Sequence, residues 1–266
     1  MRELVFVGLG LNDHRGISLQ GLEEVKAADT VFIEFYTSLL PEFSIKSFTK
    51  LSRKRISILH RKDLEENGGK IILEAAENGK TVFLVPGDPL IATTHVTLRI
   101  EAKKHGIKTR IVHGSSILSA AIGLSGLHSY KFGKSVTIPF SDENPSSTPY
   151  TVIKGNKKSG LHTLCLLDIK VEEERFLKIQ DALKTLLEIE ALKKENVVTN
   201  DSIAVGVARA GSSNPTVKAG FVRNLMKQEF GQAPHTLIFP GKLHFMEAEA
   251  LVILGDAPEK VKEMAE

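Results

Sequence analysis

The stretch Leu84-Val85-Pro86-Gly87-Asp88-Pro89-Leu90-Ile91-Ala92-Thr93-Thr94-His95 joins two periodic segments of different kinds. Thr81 to Val85 has the length and apolar content of a buried strand, and Val96 to Lys104 has helical periodicity. Two prolines restrict the backbone around Asp88, a carboxylate that the hydrophobic pattern does not require. A strand, a rigid turn and a helix are how α/β proteins present ligand-binding groups at a sheet's carboxyl edge. We therefore predict that this turn helps to hold a small-molecule cofactor, with its Thr-Thr pair capping the helix.

The composition is that of a globular chain with room for two domains. The 266 residues are 42% hydrophobic and 25% charged, which allows a large buried core. The net charge of +3 is spread among interspersed acidic residues and gives no basis for a nucleic-acid partner. No apolar run has the length of a membrane span, so we predict a cytoplasmic protein without a membrane partner. The single cysteine, Cys165, lies in an apolar run and is expected to be buried.

Strand-like and helix-like segments alternate along the first half of the chain. The predicted strands are Leu4 to Leu9, Val31 to Phe35, Ile56 to Leu59, Thr81 to Val85 and Thr109 to Val112. The predicted helices are Leu19 to Ala28 (capped by Ser18), Asp63 to Glu77 (capped by Asp63), Val96 to Lys104 and Ile117 to Leu124. This alternation favours a mostly parallel sheet with helices on both faces.

The pattern changes after Leu127-His128, which places a domain boundary nearby and predicts α/β domains at 1–130 and 131–266. Residues 141–149 are rich in polar residues and proline and form a predicted loop. The predicted strands are Ser135 to Phe140, Thr163 to Leu167, Ile203 to Ala208 and Thr236 to Phe239. The predicted helices are Tyr150 to Lys158, residues 172–194, a short one within Ala219 to Gln228, and Leu243 to Leu251.

Gly8-Leu9-Gly10 follows the first predicted strand, where a dinucleotide-binding fingerprint would lie. It supplies the first two glycines of that fingerprint, but Asp13 stands in place of the third and would repel a pyrophosphate. The motif disfavours a nicotinamide or flavin cofactor, although its glycines permit close approach to another ligand. A tight turn without a ligand is an equal alternative. Asp88 has two interpretations as well, a helix cap or an acceptor of hydrogen bonds from a ligand.

Several reaction classes lack their residues. The histidines near the ends of predicted elements show no helical metal-binding spacing, so we predict no metal site. The chain has neither a nucleophile elbow nor a phosphate-binding P-loop, which disfavours hydrolase and kinase activities. Five strand-to-loop junctions instead carry small, polar or backbone-exposing residues, and they predict a ligand site at sheet edges shared between the two domains. These junctions are Gly10-Leu11, Gly87-Asp88, Ser115-Ser116, Leu167-Asp168 and Arg209-Ala210-Gly211-Ser212.

Short blocks distributed over essentially the whole chain carry a family resemblance. They are residues 6–11, 34–38, 86–95, 126–135, 160–164, 167–170, 208–212, 214–215 and 240–244. The Gly-Asp-Pro element resembles the tetrapyrrole methylase superfamily, whose members are S-adenosylmethionine-dependent methyltransferases without the Rossmann-type fold of most methyltransferases. The Tyr-Thr-Ser, Tyr-Lys-Phe-Gly-Lys-Ser and Gly-Lys-Leu-His blocks are similar to the diphthine synthases of the archaeal type.

The resemblance implies a fold, an activity and partners. The expected fold has an N-terminal, mostly parallel sheet with flanking helices, a C-terminal mixed sheet with helices, and the cofactor in the cleft between them. The expected activity is trimethylation of the amino group of 3-amino-3-carboxypropyl-histidine on translation elongation factor 2, in diphthamide biosynthesis. S-adenosylmethionine is the implied methyl donor, and the implied assembly is a homodimer.

The resemblance also implies contacts to the cofactor. They fall on Leu11, Asp88, Ile91, Ser116, Ile117, Leu167, Ala210 and His235. The chain departs from the family at Gly114-Ser115, where relatives often carry Ala-Pro.

Methyl transfer to an amine is an in-line displacement that requires a neutral amine. An α-amino group has a pKa of about 8, so a useful fraction is neutral near pH 7 and no dedicated base is required; the sequence identifies none. Lys131, Lys134 and Lys242 are hypothesised to meet the carboxylate of the arm. Two alternatives are open: a methyltransferase acting on a corrin precursor, and a protein that binds the cofactor without catalysis.

Overall fold

The computed structural model describes residues 2–141 and 146–265, which form two compact units. The first is Met1–Ile117 with Val171–Glu173, and the second is Leu118–Lys170 with Glu174–Glu266. The predicted domain ranges 1–130 and 131–266 stay a prediction. Of the predicted loop at 141–149, residues 142–145 lie outside the described residues.

The first unit contains a five-stranded parallel sheet with the order β3-β2-β4-β1-β5. Its strands are β1 (Glu3–Gly8), β2 (Thr30–Glu34), β3 (Ser57–Leu59), β4 (Lys80–Val85) and β5 (Lys108–Val112). Its helices are α1 (Leu19–Ala27), α2 (Ile45–Ser52), α3 (Arg61–Glu65), α4 (Lys70–Asn78) and α5 (Val96–Lys104); α6 (Ile117–Ser125) follows β5. The predicted parallel sheet is confirmed.

Alternate residues of the buried strands pack against helices on opposite faces of this sheet. Phe6 and Phe83 belong to one core cluster, which includes Ile72 of α4 and Leu98 of α5. Val5 and Val7 belong to the other, which includes Val25 of α1 and Phe48 of α2. Because side chains alternate between faces along a strand, a strand covered on both sides reads as one continuous apolar run. This is why the strands could be recognised in the sequence.

Two predicted helices differ from the observed ones because the backbone turns locally. The predicted helix from Asp63 to Glu77 is two helices, α3 and α4, because Gly68 and Gly69 adopt φ values of 62° and 69° between them. His60, not Asp63, is the N-cap of α3. The predicted helix over residues 172–194 begins only at Ile179, after a hairpin of two very short strands.

The Thr-Thr pair does not cap α5. His95 occupies the N-cap position of that helix, and the Thr93 hydroxyl donates a hydrogen bond to the Pro89 carbonyl at 3.0 Å. The predicted cap at Ser18, in contrast, is confirmed, because its hydroxyl accepts a hydrogen bond from the Gly21 amide at 3.0 Å.

The second unit contains a mixed sheet with the order β11-β10-β12-β7-β6. The strands are β6 (Val136–Ile138), β7 (Thr163–Leu167), β8 (Ile169–Lys170), β9 (Arg175–Phe176), β10 (Ile203–Ala208), β11 (Thr216–Phe221) and β12 (His235–Phe239). The helices are α7 (Thr148–Lys158), α8 (Ile179–Lys193), α9 (Val222–Leu225) and α10 (Phe245–Gly255). Only the pair β6–β7 is parallel in this five-stranded sheet. Cys165 on β7 is fully buried and unpaired, as predicted. None of the helices within residues 2–141 and 146–265 has the length and apolar content needed to cross a membrane.

Glu247 is a fully buried carboxylate at the start of α10. It accepts hydrogen bonds from the His128 and His244 amides at 2.8 and 2.9 Å, from His162 Nε2 at 2.8 Å and from Lys131 Nζ at 2.6 Å. Burial by itself raises the pKa of Glu247, but these donors outweigh it and bring the pKa to about 2. A buried charge that is this fully satisfied links α10 to the start of β7.

We expect Glu247→Gln to lower the free energy of unfolding at pH 7 by about 3–5 kcal/mol, the usual loss when one partner of a buried ion pair is removed. Because folding lowers this pKa from 4.5 to about 2, the stabilisation is present above pH 4.5 and is lost as the pH falls towards 2. Urea unfolding at several pH values should show the two proteins converging in acid. Glu249→Gln, an exposed change on the same helix, is the control and should leave stability unchanged at pH 7.

Candidate functional site

The carboxyl ends of three adjacent strands of the first sheet meet through glycines. Gly8 ends β1, Gly87 follows β4, and Gly114 follows β5. A Cβ built on Gly8 would lie 2.5 Å from the Gly87 oxygen and 2.6 Å from the Gly114 nitrogen, and one on Gly114 would lie 2.3 Å from the Gly87 oxygen. In this backbone a Cβ at Gly8 or Gly114 would be too close to the neighbouring loops, whereas a Cβ on Gly87 would lie 3.9 Å from the Ser115 oxygen. Gly87 favours glycine through its positive φ instead. Gly8, Gly87 and Gly114 together form a patch of backbone without side chains, which we call the glycine cradle.

The loops that follow β1 and β4 are also hydrogen-bonded to each other. The Gly87 amide donates to the Gly10 carbonyl at 2.7 Å, and the Gly10 amide donates to the Gly87 carbonyl at 3.2 Å. Both residues adopt positive φ, 75° at Gly10 and 68° at Gly87. Asp13 is held by Arg15, whose Nε donates to its carboxylate at 2.7 Å, and this hydrogen bond lowers the pKa of Asp13. Asp13, which replaces the third glycine of a dinucleotide fingerprint, is therefore paired with the side chain of Arg15.

Asp88 lies on this edge and is almost fully buried. Its Oδ1 accepts a hydrogen bond from the Leu90 amide at 3.1 Å, and its Oδ2 lies 2.7 Å from His113 Nδ1. Because α5 begins eight residues later, at Val96, the interpretation of Asp88 as a helix cap is wrong. The carboxylate instead orders its own turn and the imidazole that follows β5.

The other predicted contacts in the first unit follow the same strand ends. Leu11 lies beside Gly87, with its Cδ2 4.0 Å from the position of a Cβ there. Ile91 is exposed in the turn after Asp88. Ser116 and Ile117 come directly after the Gly114-Ser115 loop, at the start of α6. The structure thus brings Leu11, Asp88, Ile91, Ser116 and Ile117 to one edge of one sheet.

In the second unit, Leu167, Ala210 and His235 also lie at one sheet edge. His235 is directly opposite Ala208 in the antiparallel ladder, and Leu167 is the last residue of the neighbouring strand β7. Ala210 comes two residues after the end of β10. Leu167, Ala210 and His235 thus lie at or next to strand ends, and their contact with a cofactor stays a prediction.

This edge carries buried polar atoms without a hydrogen-bond partner in the described part of the chain. They are His235 Nδ1, Arg209 Nε and Ser212 Oγ. His235 Nε2 lies 3.1 Å from the Gly231 carbonyl, so Nε2 carries the proton and Nδ1 is an acceptor. Burial lowers the pKa of His235 and keeps its ring neutral at pH 7. Buried polar atoms are normally paired, so unpaired ones clustered at one edge point to a ligand.

Arg209, Ser212 and His113 were not predicted as site residues. Arg209 and Ser212 belong to a junction that the sequence had singled out, yet a buried atom without a partner has no sequence signature. His113 stands at the end of β5, but only the fold places it against Asp88. Glu34 and His95 form a further buried pair, with 3.4 Å between Glu34 Oε1 and His95 Nε2.

Lys131, Lys134 and Lys242 lie at the other edge of the second sheet. Lys131 and Lys242 pair through their backbones with His162 and Gly160, just before β7 begins. Lys131 Nζ is occupied by Glu247, and the Lys134 amide donates to Asn156. β7 is five residues long, so roughly 13 Å separates its two ends. The hypothesis that these lysines meet the substrate arm therefore receives no support from the arrangement of this unit.

Comparison with known proteins identifies the family. The family model for tetrapyrrole (corrin/porphyrin) methylases matches residues 3–225. The diphthine synthase of Methanosarcina mazei is 48% identical over 269 residues, covering 99% of this chain and 100% of that protein. The diphthine synthase of Methanocaldococcus jannaschii is 47% identical over 254 residues, covering 94% and 98%. This chain belongs to the tetrapyrrole methylases and, within them, to the diphthine synthases.

A crystal structure of a diphthine synthase agrees with this assignment. It has a TM-score of 0.90 and 42% sequence identity, and it covers 99% of this chain and 100% of that chain. The predicted family, the α/β fold with a parallel N-terminal and a mixed C-terminal sheet, and the methyltransferase activity of a diphthine synthase are confirmed. The family uses S-adenosylmethionine as its methyl donor. Within residues 2–141 and 146–265, the structure contains no group of three or more His, Cys, Asp or Glu side chains arranged to hold a metal ion.

We expect Gly114→Ala to lower the free energy of unfolding by about 1–3 kcal/mol, the usual cost of overpacking, because the added methyl would collide with the Gly87 carbonyl. Gly123→Ala is the matched control, since a Cβ there meets no atom of the described residues within 4 Å and alanine favours the helix by up to about 1 kcal/mol. Thermal unfolding of both variants tests this. Equal melting temperatures for Gly114→Ala and the unaltered protein would show that the loop can separate without cost.

Proposed function

We propose that this protein transfers methyl groups from S-adenosylmethionine to the amino group of a 3-amino-3-carboxypropyl arm on a histidine of elongation factor 2, giving the trimethylated product diphthine. The observation that carries the proposal is the similarity to diphthine synthases over essentially the whole chain. The corrin-precursor alternative shares the family but not these relatives. A protein that only binds the cofactor is disfavoured because the relatives are named as synthases.

We propose that the cofactor contacts Leu11, Asp88, Ile91, Ser116 and Ile117 in the first unit and Leu167, Ala210 and His235 in the second. The local chemistry suits the cofactor. The glycine cradle leaves room for a ligand against backbone, and Asp88 keeps lone pairs for ribose hydroxyls or an ammonium group. The neutral His235 offers Nδ1 as an acceptor, which matches the exocyclic amine of an adenine ring.

The chemistry requires alignment more than covalent help from the protein. When bound, S-adenosylmethionine supplies an electrophilic methyl group on a sulfonium. The protein must hold the neutral amine in line with that methyl group, and orientation of this kind lowers a barrier by roughly 7–11 kcal/mol. The loops at Gly10 and Gly87 suit this task, because their mutual hydrogen bonds hold the groups that follow them against the sheet.

We also propose that the protein acts as a homodimer in the cytoplasm. The large apolar side chains Phe245, Met246, Ile253 and Leu254 are exposed on α10, and exposed apolar surface of this kind is typical of protein interfaces. The cytoplasmic location follows from the proposed substrate, a translation factor. Light scattering coupled to gel filtration measures the assembly directly, and a monomeric mass at micromolar concentration would contradict the dimer.

Methylation of the proposed substrate is the direct test of the function. We expect incubation with elongation factor 2 carrying the unmethylated arm to add up to three methyl groups to the factor, measured by mass spectrometry. A corrin precursor incubated in parallel should gain none. Methylation of the precursor alone would establish the alternative activity, and binding of S-adenosylmethionine without transfer to either would establish a binding protein.

We expect His235→Ala to weaken S-adenosylmethionine binding by about 1–3 kcal/mol, a factor of about 5 to 150 in Kd, because one buried hydrogen bond is lost. Since burial lowers the pKa of His235, any change in affinity between pH 8 and 6.5 should be the same in the unaltered protein and in His235→Ala. Calorimetry measures both. An affinity that declined between pH 8 and 6.5 in the unaltered protein but not in His235→Ala would contradict a neutral acceptor.

A further inference from the structure

Asp88 and His113 form a carboxylate–imidazole pair at the carboxyl edge of the first sheet. His113 Nδ1 lies 2.7 Å from Asp88 Oδ2. The carboxylate side chain is 7% exposed, whereas the imidazole side chain is 75% exposed. A buried acceptor therefore holds one nitrogen of a ring whose remainder faces outward.

The hydrogen bond determines which nitrogen of His113 is basic. A carboxylate only accepts hydrogen bonds, so Nδ1 carries the proton, and Nε2 of the neutral ring has a free lone pair. Asp88 is itself oriented, because its other oxygen accepts from the Leu90 amide at 3.1 Å. His113 is thus oriented by Asp88, and Asp88 is oriented by a backbone amide. Catalytic proton acceptors in enzymes are commonly oriented by a second group in this way.

The position of the pair also suits an acceptor site. His113 is the residue before Gly114, whose backbone belongs to the glycine cradle. Ser116 and Ile117, proposed contacts of the cofactor, follow three and four residues later. His113 therefore lies in the same loop as residues that the cofactor is proposed to contact.

We propose that His113 Nε2 accepts the proton of the substrate amine and that Asp88 is the positioning residue that orients the ring. This inference rests on the proposed function, which it deepens by assigning a proton acceptor that the sequence did not identify.

The proton and electron balance shows why such a group is useful. An amine with a pKa of about 8 is mostly protonated at pH 7, and His113 takes that proton to free the nitrogen lone pair. The lone pair forms the new N–C bond, the C–S bond breaks, and its electrons remain on sulfur as a neutral thioether. The methylated nitrogen is now an ammonium and must lose one proton before each further transfer. After the third transfer it carries a permanent charge and has no proton to lose.

The exposure of His113 allows the ring to lose its proton between methyl transfers. Because three-quarters of its side chain is accessible, the imidazolium can pass its proton to water between transfers. Among the described residues, the ionisable group in contact with the ring is Asp88.

The first sheet supplies a matched control at its opposite edge. His105 Nδ1 lies 2.9 Å from Glu77 Oε1, and both side chains are partly exposed. His105 follows α5 just before β5 begins, and Glu77 is in the last turn of α4 just before β4. The two pairs thus share their chemistry, but only Asp88–His113 is at the carboxyl edge.

His113→Asn tests the proposal, because the asparagine amide can replace Nδ1 as a donor to Asp88 while the base is removed. We expect unchanged Kd for S-adenosylmethionine by calorimetry and a methylation rate at pH 7 reduced by up to about tenfold, the protonated excess of an amine with a pKa of about 8. The defect should shrink above pH 8, and added imidazole should restore part of the rate. Partially methylated arms should accumulate in mass spectra. His105→Asn should change none of these quantities.

A measurement without catalysis examines the same assignment. Nitrogen-15 NMR of the protein without substrate should show His113 as the Nδ1-protonated tautomer, and Asp88→Ala should abolish that preference. A mixed tautomer in the unaltered protein would overturn the orienting role of Asp88.

The kinetic outcomes separate the two proposals. Equal rates and equal pH profiles for His113→Asn and the unaltered protein would overturn the proton acceptor while leaving the proposed function in place. An unaltered protein that methylates no elongation factor would overturn the proposed function and the acceptor role together.

Discussion

The contact of three backbones at Gly8, Gly87 and Gly114 is the constraint on which the site depends. Because β1 lies between β4 and β5, the loops after these strands converge, and a Cβ on Gly8 or Gly114 would lie within 2.7 Å of the neighbouring loop. The loops can approach this closely only without side chains. As a consequence, the residues that follow each glycine lie on backbone that is held close to the sheet.

The buried polar groups of the second unit differ in how completely they are hydrogen-bonded. At the start of β7, Glu247 is buried with both oxygens hydrogen-bonded, and His162 uses both ring nitrogens, one towards Glu247 and one towards the Gly241 amide. At the end of β7, His235 Nδ1 and Arg209 Nε are buried without a hydrogen-bond partner among the described residues. The satisfied cluster stabilises the fold. The unsatisfied atoms retain the hydrogen-bonding capacity that a ligand requires.

Some errors in the sequence-based predictions have a common cause. The periodicity of residues 63–77 is helical throughout, but Gly68 and Gly69 turn the chain in the middle. Residues 172–178 continue the polar pattern of α8, yet Glu174 adopts a φ of 52° and the backbone forms a hairpin. The edge strand β11 was missed, because Thr216 to Phe221 becomes a strand only by pairing with β10. Periodicity reports which faces are apolar, and it does not report a local reversal or a partner strand.

The sequence by itself determined the parallel sheet, the family and the strand ends that carry the predicted cofactor contacts. It could do so because a strand buried on both faces is a continuous apolar run, and because turn residues mark where such a run stops. Only the tertiary structure decided what those ends do. It placed His113 against Asp88, 25 residues apart in the chain, and it removed Asp88 from its possible role as a helix cap. It also left one nitrogen of His235 without a partner in the part of the chain that the structure describes. Hydrogen bonding and burial between distant segments depend on the packing of the strands, and no local pattern encodes them.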